Sequence, residues 1–195
     1  MPVFTDLINK GRQDFTQAGF ADSRDWFRER AREVSTVNVS RIISSNQSQQ
    51  KAIVQPGFMY LFNYDPKYKE TLPYYDRYPL VFPFTVEQDG FTGINMHYLP
   101  HLLRARLMDA LYNLSSNQNF DEKTKLRMSY NILNSASRYK YFKPCVKRYL
   151  YSHLRSRFLL IPSNEWDIAL FLPLERFTTN KANVFRDSNA VIRRS

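Results

Sequence analysis

The chain has 195 residues and carries 28 Lys and Arg against 18 Asp and Glu, a formal charge of +10. A mean hydropathy of −0.51, with no apolar run approaching the ~20 residues of a membrane span, excludes a bilayer-crossing chain; 43% apolar and 15% aromatic residues exclude a chain disordered throughout. A single cysteine, Cys145, excludes an internal disulfide and any Cys-based zinc site. The N-terminus lacks the charged-then-apolar layout of a signal peptide, which predicts a soluble protein made in a cytosol.

Residues 1–55 are predicted to form an arm. Within it, SRDWFRERAREV places Trp26, Phe27, Arg30, Ala31 and Val34 on one side of an amphipathic helix, with Ser23 as N-cap. The run STVNVSRIISSNQSQQKAIVQ (35–55) is rich in Ser, Asn and Gln and reads as a linker or extended strap. From Gly57 the pattern changes to period two. Phe58, Tyr60, Phe62 and Tyr64 fall on one face of a strand, and Met59, Leu61 and Asn63 on the other. A second strand after Pro79 has Leu80, Phe82 and Phe84 on one face, and Pro83 requires an edge or a bulge. Gln88-Asp89-Gly90 is a turn, and Phe91–Tyr98 returns as a third strand.

Residues 100–157 read as helical. Leu103, Leu107, Ala110, Leu111 and Leu114 make the first stripe, with Arg104 and Arg106 off it. A second helix spans Glu122–Ala136 with Asp121 as cap, and a third runs from Pro144 through Val146, Tyr149, Leu150 and Leu154. Arg157–Ile161 is a strand able to pair back onto the sheet, Glu165–Phe171 a short helix, and 178–195 a polar tail, extended or docked on a partner. The expected fold is therefore α+β. A small antiparallel sheet, either an SH3-like barrel or a strongly twisted sheet, carries an inserted helical segment and an N-terminal helical arm, with the globular domain at 56–177.

No catalytic set emerges. His97 and His101 are spaced i, i+4, but Pro100 breaks the helix that would hold a metal pair, and no Glu adjoins His97. Cys145 and His153 lie eight residues apart, about 12 Å along a helix, too far for a nucleophile and its base. Asp65, Glu70 and Asp76 among Lys67 and Lys69 loosely echo a metal-dependent nuclease, but more simply brace a Pro- and Tyr-rich turn. Neither catalytic residues, metal nor cofactor are expected, and the scattered glycines form no phosphate loop.

The charge is concentrated. Residues 101–160 hold twelve Lys and Arg against three Asp and Glu, nearly the whole excess. There RYKYFKPCVKRYLYSHLRSR interleaves Arg138, Lys140, Lys143, Lys147, Arg148, Arg155 and Arg157 with Tyr139, Tyr141, Tyr149 and Tyr151. Such a surface suits an acidic protein neighbour, the first reading, or a nucleic-acid backbone with stacked bases, the second. Trp26, Phe27, Arg30 and Tyr149 join these cations as expected partner-binding residues.

The stretches GFMYLFNYDPKYKETLPYYDRYPLVFPF (57–84), GINMHYLPHLLRARLMDALY (93–112), YFKPCVKRYL (141–150) and RSRFLLIPSNEWDIALFLPLERF (155–177) resemble the baseplate hub subunits of T-even-like contractile-tailed phages, marine cyanophages included. The resemblance implies a structural virion protein of the tail baseplate, assembled in the host cytoplasm and packed against hub, tube or wedge subunits. It implies no enzymatic activity, membrane or small-molecule substrate. A neck or DNA-end protein of the same phages, binding DNA through residues 101–160, is the alternative.

Overall fold

A computed structural model describes Phe4, residues 37–99, Leu103, Arg104, Leu107, Leu111, Asn119 and residues 121–194. The predicted arm helix, and with it Trp26, Phe27 and Arg30, lies outside the described residues, as does His101. Within them the fold is α+β, built on a six-stranded, wholly antiparallel sheet. Its strands are β1 (Gln50–Lys51), β2 (Met59–Leu61), β3 (Leu80–Val86), β4 (Gly90–Asn95), β5 (Val146–Leu150) and β6 (Phe158–Ile161). They lie in the order β1-β6-β2-β3-β4-β5.

Period-two alternation sorts the side chains as the sequence requires. Met59 and Leu61 of β2, with Leu80 and Phe82 of β3, enter the larger core beneath the helices; Tyr60, Phe62 and Tyr64 enter a second, aromatic cluster with Val81, Phe91, Tyr149 and Phe158. That cluster reveals the curl of the sheet. Phe62, just past β2, lies 5.3 Å from Tyr149 of β5 and 5.1 Å from Phe158 of β6, ring centre to ring centre. Three strand spacings would hold β2 and β5 about 14 Å apart in a flat sheet. The sheet must therefore wrap around these rings. The bridge between Tyr64 and Leu154 and the bond from Leu150 N–H to the Tyr64 hydroxyl tie the same two regions.

Pro83 sits in an internal strand, not at an edge, because a register shift between Pro83 and Thr85 absorbs its missing donor. Gly93 is required opposite it: a Cβ there would lie 2.4 Å from Val81 Cγ1 and 2.8 Å from Phe82 O. The β3–β4 turn closes with Glu87 N–H donating to Gly90 O.

Four helices complete the described fold: α1 (Val39–Ser45), α2 (Glu122–Ala136), α3 (Trp166–Phe171) and α4 (Lys181–Arg194). Leu103, Arg104, Leu107 and Leu111 are also helical. Three segments differ from their sequence expectation. The expected strap contains α1, capped by Asn38 and burying Val39 and Ile43, and then β1, which pairs with β6. The expected third helix is β5. Its Val146, Tyr149 and Leu150 mimic helical spacing, but their backbone groups are satisfied by β4, from Gly90↔Leu150 to Ile94↔Val146. The polar tail is α4, whose Val184, Ser188 and Ile192 recur every four residues and are buried.

The expected cap of α2 is present, with Asp121 accepting from Thr124 N–H at 2.6 Å. Asp121→Ala should cost about 1 kcal/mol, read as a lower urea midpoint at unchanged m-value.

Candidate nucleic-acid interface

α2 buries Ser129, Leu133 and Ala136 and ends there, with Ser137 N–H returning to Leu133 O. The chain then makes a tight 3-10 turn, Lys140–Cys145. Pro144 and Cys145 are buried at its end and Phe142 packs partly against the core, so the remaining side chains project outward. Arg138, Tyr139, Lys140, Tyr141 and Lys143 are all exposed. Tyr139 and Tyr141 keep 63% and 47% of their surface in solvent, and Lys140 Nζ stands 5.4 Å from the Tyr141 ring centre. The turn thus displays two large aromatics among three cations to solvent.

The structure divides the sequence-predicted cations into two groups. Lys147 is half-buried, its Nζ 4.3 Å above the Tyr98 ring, and burial lowers its pKa. Arg148 pairs with Glu87 and with Asp89 at 2.6 Å, which clamps β5 to the β3–β4 turn. Arg155 donates to Asp65 at 2.9 Å, and Lys69 holds the same carboxylate. Tyr149 is buried in the aromatic cluster, where its hydroxyl accepts from Asn95, and presents nothing to a partner. Arg138, Lys140, Lys143 and Arg157 remain exposed with no carboxylate partner among the described residues. The predicted basic helical face is thus a basic turn; beyond it Lys147 is covered by Tyr98, and Arg148 and Arg155 are held in internal ion pairs.

A second set escaped the sequence reading. Lys123, Arg127, Asn131 and Ser135 are exposed at four-residue intervals along α2, one stripe about 18 Å long leading to the turn. The i, i+4 spacing was the available signal. Where stripe and turn meet there is an open groove of about 440 Å³ lined by Leu107, Ile132, Ala136 and Phe142, with Asn131, Ser135 and Tyr139 on its walls.

The carboxylates weighed for nuclease chemistry have separate partners. Asp65 faces the solvent-side pair of Arg155 and Lys69, whose hydrogen bonds hold its carboxyl below the usual range. Asp76 is buried and accepts from His97 Nδ1 at 2.6 Å and from the backbone N–H groups of Tyr78 and Arg176. Among the described residues, no three His, Cys, Asp or Glu side chains are grouped to hold a metal. Cys145 is buried, which pushes its thiol up to about 12, and His153 lies beyond β5 with Nδ1 near Asp65 O.

The Asp76–His97 pair makes the fold sensitive to acid. Burial raises the Asp76 pKa, but the facing His97 and the converging N–H groups outweigh it and hold the carboxyl below its ordinary value. Burial lowers the His97 pKa below 6.5, outweighing the facing Asp76. The pair is accordingly a carboxylate accepting from a neutral imidazole, with His97 Nε2 buried and without a partner. Both groups bind fewer protons folded than unfolded, so acidification below about pH 6.5 favours the unfolded chain, more steeply below the ordinary carboxylate pKa. The urea midpoint is expected to fall steadily from pH 7 to pH 4; a midpoint that rises over that interval contradicts the assignment.

The profile described as phage T4 terminal DNA protecting protein matches residues 3–193. The chain belongs to this family. No curated protein and no solved structure matches it. The match covers the described fold and nearly the whole sequence, so it identifies a T4-like phage protein and corrects the baseplate-hub resemblance. The sequence stretches that suggested a hub subunit are those of a DNA-end family, and the tail-subunit reading falls with that finding.

Proposed function

We propose that this protein binds the ends of linear phage DNA and shields them, in the virion or the infected cell. The observation that carries the proposal is the family match over residues 3–193. The surface around the 138–143 turn supports it. Arg138, Lys140 and Lys143 are positioned to neutralise phosphates, Lys123 and Arg127 extend the same charge along α2, and Tyr139 and Tyr141 offer stacking faces. This arrangement carries no base-reading code, which suits a protein that protects an end whatever its sequence. Binding and shielding are stoichiometric and require no turnover.

End protection tests the proposal. Linear duplex incubated with the protein should resist a nuclease that digests from free ends, with full protection at saturating protein. An endonuclease cutting the interior of the same duplex should be unimpeded. Digestion from the ends at an unchanged rate under saturating protein would overturn the proposal.

A further inference from the structure

We propose that the groove between α2 and the 138–143 turn is a pocket for an unpaired nucleobase at the terminus of a DNA strand. This inference rests on the DNA-end reading above and names what the end presents to the protein. The groove has the chemistry of a base site. Its lining is mostly apolar, from Leu107, Ile132, Ala136 and Phe142, which suits the flat, weakly polar face of a base. Its volume of about 440 Å³ lies within the ~300–1,000 Å³ of small-ligand sites. Tyr139, exposed and among the lining residues, is the ring available to stack on a base. Asn131 and Ser135 are the polar residues of the lining and can take up the polar edge of any base.

The charge around the groove specifies the occupant. Arg138, Lys140 and Lys143 follow the groove in the chain, Lys123 and Arg127 approach it along α2, and none has a carboxylate partner among the described residues. An apolar slot set among unpaired cations is complementary to a base on a phosphate backbone, not to an uncharged apolar peptide. Geometry then selects the end. Bases inside a duplex are stacked on both faces, and withdrawing one costs several kcal/mol, least where the base is already unpaired. A strand terminus supplies such a base, so the groove converts a sequence-independent backbone surface into one that distinguishes an end from an interior.

The test uses the full chain and a short duplex carrying a fluorescent adenine analogue, placed either as one unpaired 3′ or 5′ nucleotide or at a paired interior position. A closed circular duplex serves as the DNA without ends. Stacking in the groove should quench the analogue at the unpaired terminus and leave the interior one unchanged. Tyr139→Ser, an exposed position where folding is little affected, should abolish the quenching and weaken binding of the overhung duplex about tenfold. Its binding to the closed circle should fall far less than its binding to the overhung duplex. Asn131→Asp should weaken the overhung duplex likewise. Retention of linear DNA without quenching, or equal weakening of circle and overhang by Tyr139→Ser, overturns the groove assignment and leaves the DNA-end reading standing. Failure of the wild-type chain to retain any DNA at low salt overturns both.

Discussion

Replacing Arg138, Lys140 and Lys143 together by Glu is expected to lower affinity for linear DNA on the order of a hundredfold at moderate salt. The slope of log affinity against log salt should fall by about three, one for each phosphate contact removed. The fold should survive, because all three side chains are exposed and lie outside the hydrogen-bonded framework. The informative control is Arg148→Glu. On sequence alone Arg148 belongs with the other cations, but it sits between Glu87 and Asp89 and contributes little free charge to the surface. Its reversal should loosen the β3–β4 turn against β5, read as a lower melting temperature, while DNA affinity changes only a fewfold. If Arg148→Glu abolished binding and the triple variant left it intact, the division of the cations would be wrong.

The largest loss of stability is expected at Arg104. This side chain is fully buried, and it donates from Nε to Leu99 O at 2.7 Å, from Nη1 to Leu170 O at 3.1 Å and from Nη2 to His97 O at 2.9 Å. It therefore joins three elements: the 96–99 turn after β4, the helical segment that bears it, and α3. Burial brings its pKa down to about 10, which leaves it protonated at neutral pH. Through the His97 carbonyl it adjoins the buried Asp76–His97 pair. Arg104→Ala leaves three carbonyls unpaired and a cavity behind, a loss of roughly 3–5 kcal/mol. For a chain of this length each kcal/mol lowers the melting temperature by about 2–4 °C, so a fall of ~10 °C is expected. Arg104→Met fills much of the volume without donating and should recover only a minor part. Full recovery by Met would show that packing, not the three hydrogen bonds, is what Arg104 contributes.

The sequence was most legible where one local period decides the structure. The alternation from Phe58 to Tyr64 assigned each residue its face because strand geometry permits no other sorting, and Asp121 before a three-four stripe marked the start of α2. It was least legible where a distant partner decides. Residues 146–150 carry apolar groups at spacings that suit a helix, and only the availability of β4, more than fifty residues earlier, makes them a strand. α4 shows just three buried residues in an otherwise polar run, too sparse a stripe to register without the surface it covers. Arg104 lies off the apolar stripe of its own segment and is buried because carbonyls from elsewhere in the chain converge on it. The same limit applies to the candidate interface. The concentration of charge in residues 101–160 was visible by counting, but Arg148 and Arg155 lose their freedom to acids about sixty and ninety residues away. Lys123 and Arg127, visible in the count, gained meaning only when α2 aligned them with the turn.

The baseplate reading failed for a related reason. Local stretches and their order suggested a protein of T-even-like phages, and that much agrees with the family; the particular component did not follow from them. Charge complementarity alone favours any acidic partner, whether carboxylate-bearing or phosphate-bearing. The exposed tyrosines beside the cations of the 138–143 turn and the family match are what support the phosphate-bearing partner proposed above.

One competition measures the central claim directly. Labelled linear duplex bound to the protein is challenged with unlabelled DNA of the same sequence, either linear or closed into a circle, at moderate salt. Binding to ends predicts that linear competitor displaces the label in proportion to the number of ends, whereas the circle displaces it only at far higher mass. Equal displacement by circle and linear DNA at equal mass would contradict it.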